Sequence, residues 1–240
     1  MTRSGKTDVR LVHSSDLHLD ELGDRRCRGL THVVDFALAH DAHGLLIAGD
    51  FFDSNRVRDE VIEFAVHELS RFGRDVVVAA GNHDCLVEDS VYNRGGWERA
   101  SNVHVLRSAR GETRVLEHLG MTVWGKPLMS YGDGEGPLER MPKPRRKSHW
   151  HVAIAHGYYQ PPEARTWASF PMTAEQIAGS GRHYIALGDS HAFHSVSSGD
   201  VTAYYSGAPS SGTHTVALVR FDGSTESVTV EEHSLRDRYG

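Results

Sequence analysis

The sequence predicts an α/β fold whose chemistry sits at the ends of strands. Apolar strands alternate with amphipathic helices over about the first hundred residues, more short strands follow, and an acidic or histidine residue stands at most strand-to-loop junctions.

Residues 9–13 form a short apolar strand ending in Ser14-Ser15-Asp16. Leu30, Val33, Val34, Ala37 and Leu38 then recur at helical spacing and predict a helix over about residues 25–42. Residues 45–48 are a second buried strand, stopped by Gly49-Asp50. Val61, Ile62, Ala65, Val66 and Leu69 mark a second helix, and residues 76–80 form a third strand closed by Gly81-Asn82-His83-Asp84. Helical crossovers between strands imply parallel pairing, which gathers functional loops at the strands' C-terminal ends. Strands at 103–106, 113–116 and 121–124 are joined by short turns, so antiparallel or mixed pairing is expected there. Residues 132–148, rich in Gly, Pro and charge, read as an exposed loop. Residues 151–155 and 184–187 are apolar strands ending in His156-Gly157 and Gly188-Asp189, and strands at 203–205, 216–221 and 228–230 follow. No linker separates two composition regimes, so residues 1–240 are expected to form one domain of two stacked sheets.

Composition narrows the class. With 39% hydrophobic and 24% charged residues among 240, the chain is neither disordered nor too short to bury a core. No apolar run approaches the ~20 residues of a membrane span, and no signal peptide is read at the N-terminus. Two cysteines, Cys27 and Cys85, favour a reducing, cytoplasmic setting. A net charge of −6 gives no global attraction to nucleic acid. The 17 histidines stand out, because imidazole is the commonest metal ligand and the proton carrier of neutral pH.

Position sorts them. Asp16 and His18 are two apart, so on extended chain their side chains share a side and can share an ion. Asp50 has two oxygens with which to bridge two ions, Asn82 offers an amide oxygen, and His156 and His191 offer imidazole nitrogens. Mixed N/O donors without thiolate suit Mn, Fe or Zn better than Ca.

In this order, Asp16-Leu17-His18, Gly49-Asp50, Gly81-Asn82-His83-Asp84, His156-Gly157 and Gly188-Asp189-Ser190-His191 resemble the calcineurin-like metallophosphoesterase superfamily. The resemblance runs over about residues 9–210. It implies a four-layer α-β-β-α sandwich of two mixed sheets with a dinuclear metal centre. One ion would take Asp16, His18, Asp50 and His191, and the other Asp50, Asn82, His156 and Asp189. Asp189 departs from the family, which has His there; a carboxylate is harder and anionic, and is expected to ligate. Manganese is the leading expectation, with iron or zinc next. The resemblance further implies attack in line by a metal-bridging hydroxide on a phosphoester, His83 as general acid, and Asp84 orienting its imidazole.

Other residues carry two readings each. Asp53 supports the site or caps the next helix, and support is preferred. Cys85 is a small buried filler before it is a reactive thiol near metal, and Cys27 packs in the first helix. Lys143, Arg145, Arg146 and Lys147 form a basic cluster, read as a solvated loop ahead of an attractor for a phosphate-rich polymer. Tyr158, Tyr159, Arg165, Trp167 and Phe170 could stack on a base or simply pack their loop. Tyr204, Tyr205 and the Ser206-Gly207-Ala208-Pro209 turn are expected beside the site, and His194 at its rim.

Motif wording such as His13-Ser14-Ser15-Asp16-Leu17-His18 and Gly49-Asp50-Phe51-Phe52-Asp53 resembles the family's DNA-repair exonuclease branch. The capping domain of that branch is not read in these 240 residues, nor is a broad basic face. The expected substrate is a small phosphomonoester or phosphodiester, nucleotides included. Nuclease action on short DNA ends is the first alternative and a degenerate scaffold the second. No membrane partner is expected, and the sequence names no protein partner.

Overall fold

A computed structural model describes residues 5–132, 134–146, 148–164 and 169–236. Lys147, Arg165 and Trp167, singled out above, lie outside them. The first sheet runs β12-β11-β1-β2-β3-β4, with β1 (Val9–Ser14), β2 (Gly44–Ala48), β3 (Asp75–Ala79) and β4 (Val103–Val105) parallel, and β11 (Thr215–Asp222) and β12 (Ser227–Ser234) joined by antiparallel pairing at the β1 edge. The second runs β5-β6-β7-β8-β10-β9: β5 (Glu112–Leu116), β6 (Met121–Gly125), β7 (Trp150–His156), β8 (Tyr184–Gly188), β10 (Thr202–Ser206) and β9 (Phe193–Ser195). There β6, β7, β8 and β10 are parallel, with β5 and β9 antiparallel at the edges.

Strand alternation sets the layers. On β2, Leu45 and Ile47 pack toward α1 (Arg25–Ala39) and α2 (Asp59–Phe72), while Leu46 and Ala48 pack between the sheets. The inter-sheet core includes Leu11, Val77, Val152, Ile154, Ala186 and Phe221, and a third cluster covers the second sheet's outer face. The four layers are unequal. Among the described residues that outer face carries one helix, the five-residue α3 (Ala174–Ala178), closed by a Thr173–Gln176 capping box, and loop residues such as Leu138 and Met172.

Two expectations are corrected. The strand at 103–106 does not join the antiparallel group; β4 pairs parallel with β3 and closes the first sheet, and the turn after it carries the chain to the other sheet. Helix α1 stops at Ala39, where His40 turns its N–H back to Leu38 and Phe36, short of residue 42. Among the described residues no helix is long and apolar enough to cross a membrane.

Candidate metal centre

Parallel strands of both sheets end on the same side, and their loops meet there. Asp16 and His18 follow β1, Asp50 follows β2, Asn82 and His83 follow β3, His156 ends β7, and Asp189 and His191 follow β8. Asp16, His18, Asp50, Asn82, His83, Asp189 and His191 line a cavity of about 360 Å³, and His156 is buried beside them. Every metal ligand expected from the sequence is thus brought to one place. A larger cavity, about 690 Å³, lies between edge strands β4 and β5 and contains none of them.

The backbone is strained where the donors sit. Asp16, His18 and Asp50 have φ of 53°, 50° and 49°, and Asp189 has 105°. A non-glycine residue in this region costs about 1–3 kcal/mol, which persists only where surrounding contacts enforce it. Here they do: Asp16 N–H donates to the Gly49 carbonyl at 3.1 Å and His18 N–H to the Asp50 carbonyl at 2.9 Å. Asp189 N–H reaches the Asp16 carboxylate at 3.2 Å. Close approach adds a glycine requirement, because a Cβ on Gly81 would collide with the Asp50 carboxylate.

Three donor groups result, each with its donor atoms within 4.8 Å of one another: Asp16–His18–His191 and Asp16–Asp50–His156, made wholly of expected ligands, and His18–Asp53–His83. His156 Nε2 lies 3.1 Å from Asn82 Oδ1, 3.3 Å from Asp50 Oδ2 and 3.9 Å from Asp189 Oδ1. Its Nδ1 stands 2.8 Å from the Ala48 carbonyl, an acceptor only, so Nδ1 carries a proton and Nε2 is the nitrogen turned to the carboxylates. On the other side, His191 Nε2 is 3.8 Å from Asp16 Oδ1 and His18 Nε2 is 3.8 Å from Asp50 Oδ2.

His18 tests whether these residues suit divalent ions. Both its ring nitrogens are buried without a hydrogen-bond partner. An imidazole in that state loses its hydration for nothing, at a cost of about 1–3 kcal/mol, unless a cation takes a lone pair. The donor chemistry of carboxylate, imidazole and amide oxygen fits Mn, Fe or Zn. Electrostatics agree. Burial raises the Asp16 pKa to about 6, helped by Asp50 and opposed by His156. Burial pushes His156 down, but Asp50, Asp16 and Asp189 overcome it and lift the pKa to about 10. Burial also raises Asp50, yet His156, His18 and the His83 N–H hold it well below the usual carboxylate range. Burial raises Asp189 too, against the pull of His156. Asp16 and Asp50, buried side by side, need cationic company.

His83 is exposed at the cavity with its Nδ1 2.8 Å from the Asp53 carbonyl, so Nδ1 donates and Nε2 is left for chemistry. This corrects the expected role of Asp84. That carboxylate is fully buried and accepts from Phe51 N, Phe52 N, Gly81 N and the Tyr92 hydroxyl at 2.8, 3.1, 2.7 and 2.6 Å; none of these bonds goes to His83. Asp84 ties the β2 loop to the β3 loop. Asp84→Ala is therefore expected to destabilise the fold by about 3 kcal/mol, since it strands buried donors, measured as a lowered urea midpoint.

Asp53 acts as support. Its Oδ1 lies 2.9 Å from Arg26 Nη1 and 3.4 Å from His18 Nδ1, while Arg58 occupies the N-cap of α2. Ser15 Oγ donates to Asp16 Oδ2 and lies 3.0 Å from Ser206 Oγ, which joins the expected Ser206 turn to the site. Cys85 and Phe170 pack together with Leu128, and burial followed by Asp84 raises the Cys85 thiol to about 11. Cys27 is buried in the helix-side core. His194 stacks on Tyr205 with centroids 4.7 Å apart and does not line the cavity. Arg25, Arg26, Ser210 and Ser211 line it as well, and the sequence did not single them out. An Arg-Arg pair at a helix start carries no distinctive pattern.

Carboxylates, imidazoles and an amide thus gather at the C-terminal ends of parallel strands in a two-sheet α/β sandwich. The chain belongs to the calcineurin-like phosphoesterase family, whose profile matches residues 9–193. It is 26% identical over 209 residues to YhaO of Bacillus subtilis (strain 168), described as an uncharacterized metallophosphoesterase; the match covers 77% of this chain and 49% of that protein. The chain thus spans about half the length of this relative. The crystal structure of TT1561 from Thermus thermophilus superposes with a TM-score of 0.59 at 11% identity, covering 94% of this chain and 99% of that one, a likeness of fold alone.

Proposed function

We propose that the protein hydrolyses a small phosphomonoester or phosphodiester, nucleotides included, with two divalent ions, manganese first among them. One ion is assigned to Asp16, His18, Asp50 and His191, and the other to Asp50, Asn82, His156 and Asp189. The observation that carries this reading is His18, whose two buried ring nitrogens make no hydrogen bond and face the carboxylates of Asp50 and Asp53 at 3.8 and 3.4 Å. When bound, such ions activate water and neutralise phosphoryl charge. The chain's own residues do the rest. His83 donates a proton from Nε2 to the leaving oxygen, the Asp53 carbonyl holding its ring. Arg25, exposed in the same cavity, suits phosphate oxygens by charge and shape. The Ala48 carbonyl keeps His156 in its ligating tautomer. A cavity of about 360 Å³ suits a small ester.

The test offers manganese-loaded protein nitrophenyl phosphate, bis-nitrophenyl phosphate, and single- and double-stranded DNA. Turnover of the small esters that is abolished by chelator and restored by manganese supports the proposal. DNA cleavage far above ester turnover would transfer it to the nuclease reading, and no bound metal with no turnover to the scaffold reading. For Asp189→Ala, elemental analysis is expected to find one metal equivalent fewer per chain. Undiminished metal would remove Asp189 from the ligand set.

A further inference from the structure

The basic loop has a part at the other end of the molecule. Residues 142–146 lie with Thr122 of β6, His151 of β7 and Arg182, just before β8, around a cavity of about 350 Å³. Thr122, His151 and Arg182 mark the N-terminal ends of their strands, opposite the metal centre. His151 and His156 are five steps apart along β7, about 17 Å of extended chain, so one phosphate cannot occupy both sites.

Arg182 is the unusual group. It is only 6% exposed, yet its hydrogen bonds go to neutral partners, Nη2 to the Pro142 carbonyl at 2.8 Å and Nε to Met141 Sδ at 3.3 Å. Among the described residues no carboxylate is within ion-pair distance of it, and no Asp or Glu lines the cavity. A guanidinium cannot shed its charge, so its burial calls for an anion. The neighbouring charge is of the same sign. Lys143 Nζ donates to the Gly179 carbonyl, Arg145 is exposed, and Arg146 pairs with Glu117 at 2.5 Å.

The walls are fixed in advance. His151 Nε2 lies 2.7 Å from the Arg146 carbonyl and its Nδ1 2.7 Å from Thr122 Oγ1, so Nε2 donates, Nδ1 accepts, and the ring pins the loop. Burial lowers the His151 pKa, its bond to the Arg146 carbonyl opposes this, and the nearby Arg182 guanidinium lowers it further.

We propose that this cavity is a second, non-catalytic oxyanion site that takes a free phosphate-class anion against Arg182, Lys143 and Arg145. Its ligand is separate from the ester at the metal centre, and its chemistry is that of guanidinium and ammonium donors on phosphate oxygens.

The full chain is titrated with inorganic pyrophosphate in EDTA, where no ion can bridge the anion to the carboxylates. Saturable one-to-one binding is expected, with amide exchange slowed at residues 141–146 and 180–183. Lys143→Ala/Arg145→Ala, both exposed and therefore compatible with folding, is expected to weaken binding at least about tenfold. Arg182→Met, if it folds, is expected to abolish it. Affinity unchanged in the double variant, no saturable binding up to about 1 mM, or protection confined to the metal centre would each overturn the proposal. Binding of a DNA oligonucleotide but not pyrophosphate through these residues would overturn it as well.

Discussion

Asp50→Asn is expected to lower kcat/KM by at least about 10³, equivalent to about 4 kcal/mol of transition-state stabilisation, with little change in fold. Asparagine keeps the shape and the oxygen that accepts from His83 N–H at 2.9 Å, so the β2 and β3 loops remain tied. What it removes is charge and one anionic oxygen. Asp50 Oδ2 is 3.3 Å from His156 Nε2 and 3.8 Å from His18 Nε2, between the two groups of expected ligands, so its loss weakens both. Its carboxylate is held ionised by those same imidazoles. Kinetics and metal content measured together give the check. A variant that binds metal normally and turns over within about tenfold of the parent would show that Asp50 does not join the ions.

The second large effect is expected at His83. His83→Asn should retain both ions yet lose at least ~10² in kcat, the usual contribution of a positioned acid. The loss should depend on the leaving group. An ester with a good leaving group, such as nitrophenolate, needs little protonation, whereas an alkyl alkoxide needs it fully. The variant's deficit is therefore expected to grow from nitrophenyl to alkyl esters. His83 owes its orientation to a backbone carbonyl, that of Asp53, so Asp53→Asn should spare the hydrogen bond while disturbing His18 and Arg26. An equal deficit for all leaving groups would mean that His83 acts otherwise than as an acid.

The residues that meet at the centre are legible in the sequence because each follows an apolar run that stops abruptly. Strands of a parallel sheet must end where the helical connection begins, so polar residues at those stops gather without any long-range information. Asp16, Asp50 and Asp189 are visible this way. Their left-handed backbone is not, because an aspartate carries no mark of positive φ as a glycine does. The sheet membership of β4 is illegible for a similar reason. Its turn resembles a hairpin, and only packing decides that the chain crosses from one sheet to the other. Adjacency of Asp84 to His83 suggests contact, whereas the donors to Asp84 lie on Phe51, Phe52, Gly81 and Tyr92. The Asp53 carbonyl and the isolated Arg182 leave no trace in composition or spacing. Backbone acceptors and the absence of a counter-ion are properties of the folded chain alone.

The central claim is that the residues gathered around Asp50 hold a pair of ions that share its carboxylate. It is tested most directly by elemental analysis of the full chain after reconstitution with manganese and removal of free metal. The account predicts about two equivalents per chain, exchange-coupled in their electron paramagnetic spectrum as neighbouring ions with a shared carboxylate must be. One equivalent or fewer, or two with uncoupled spectra, would contradict it.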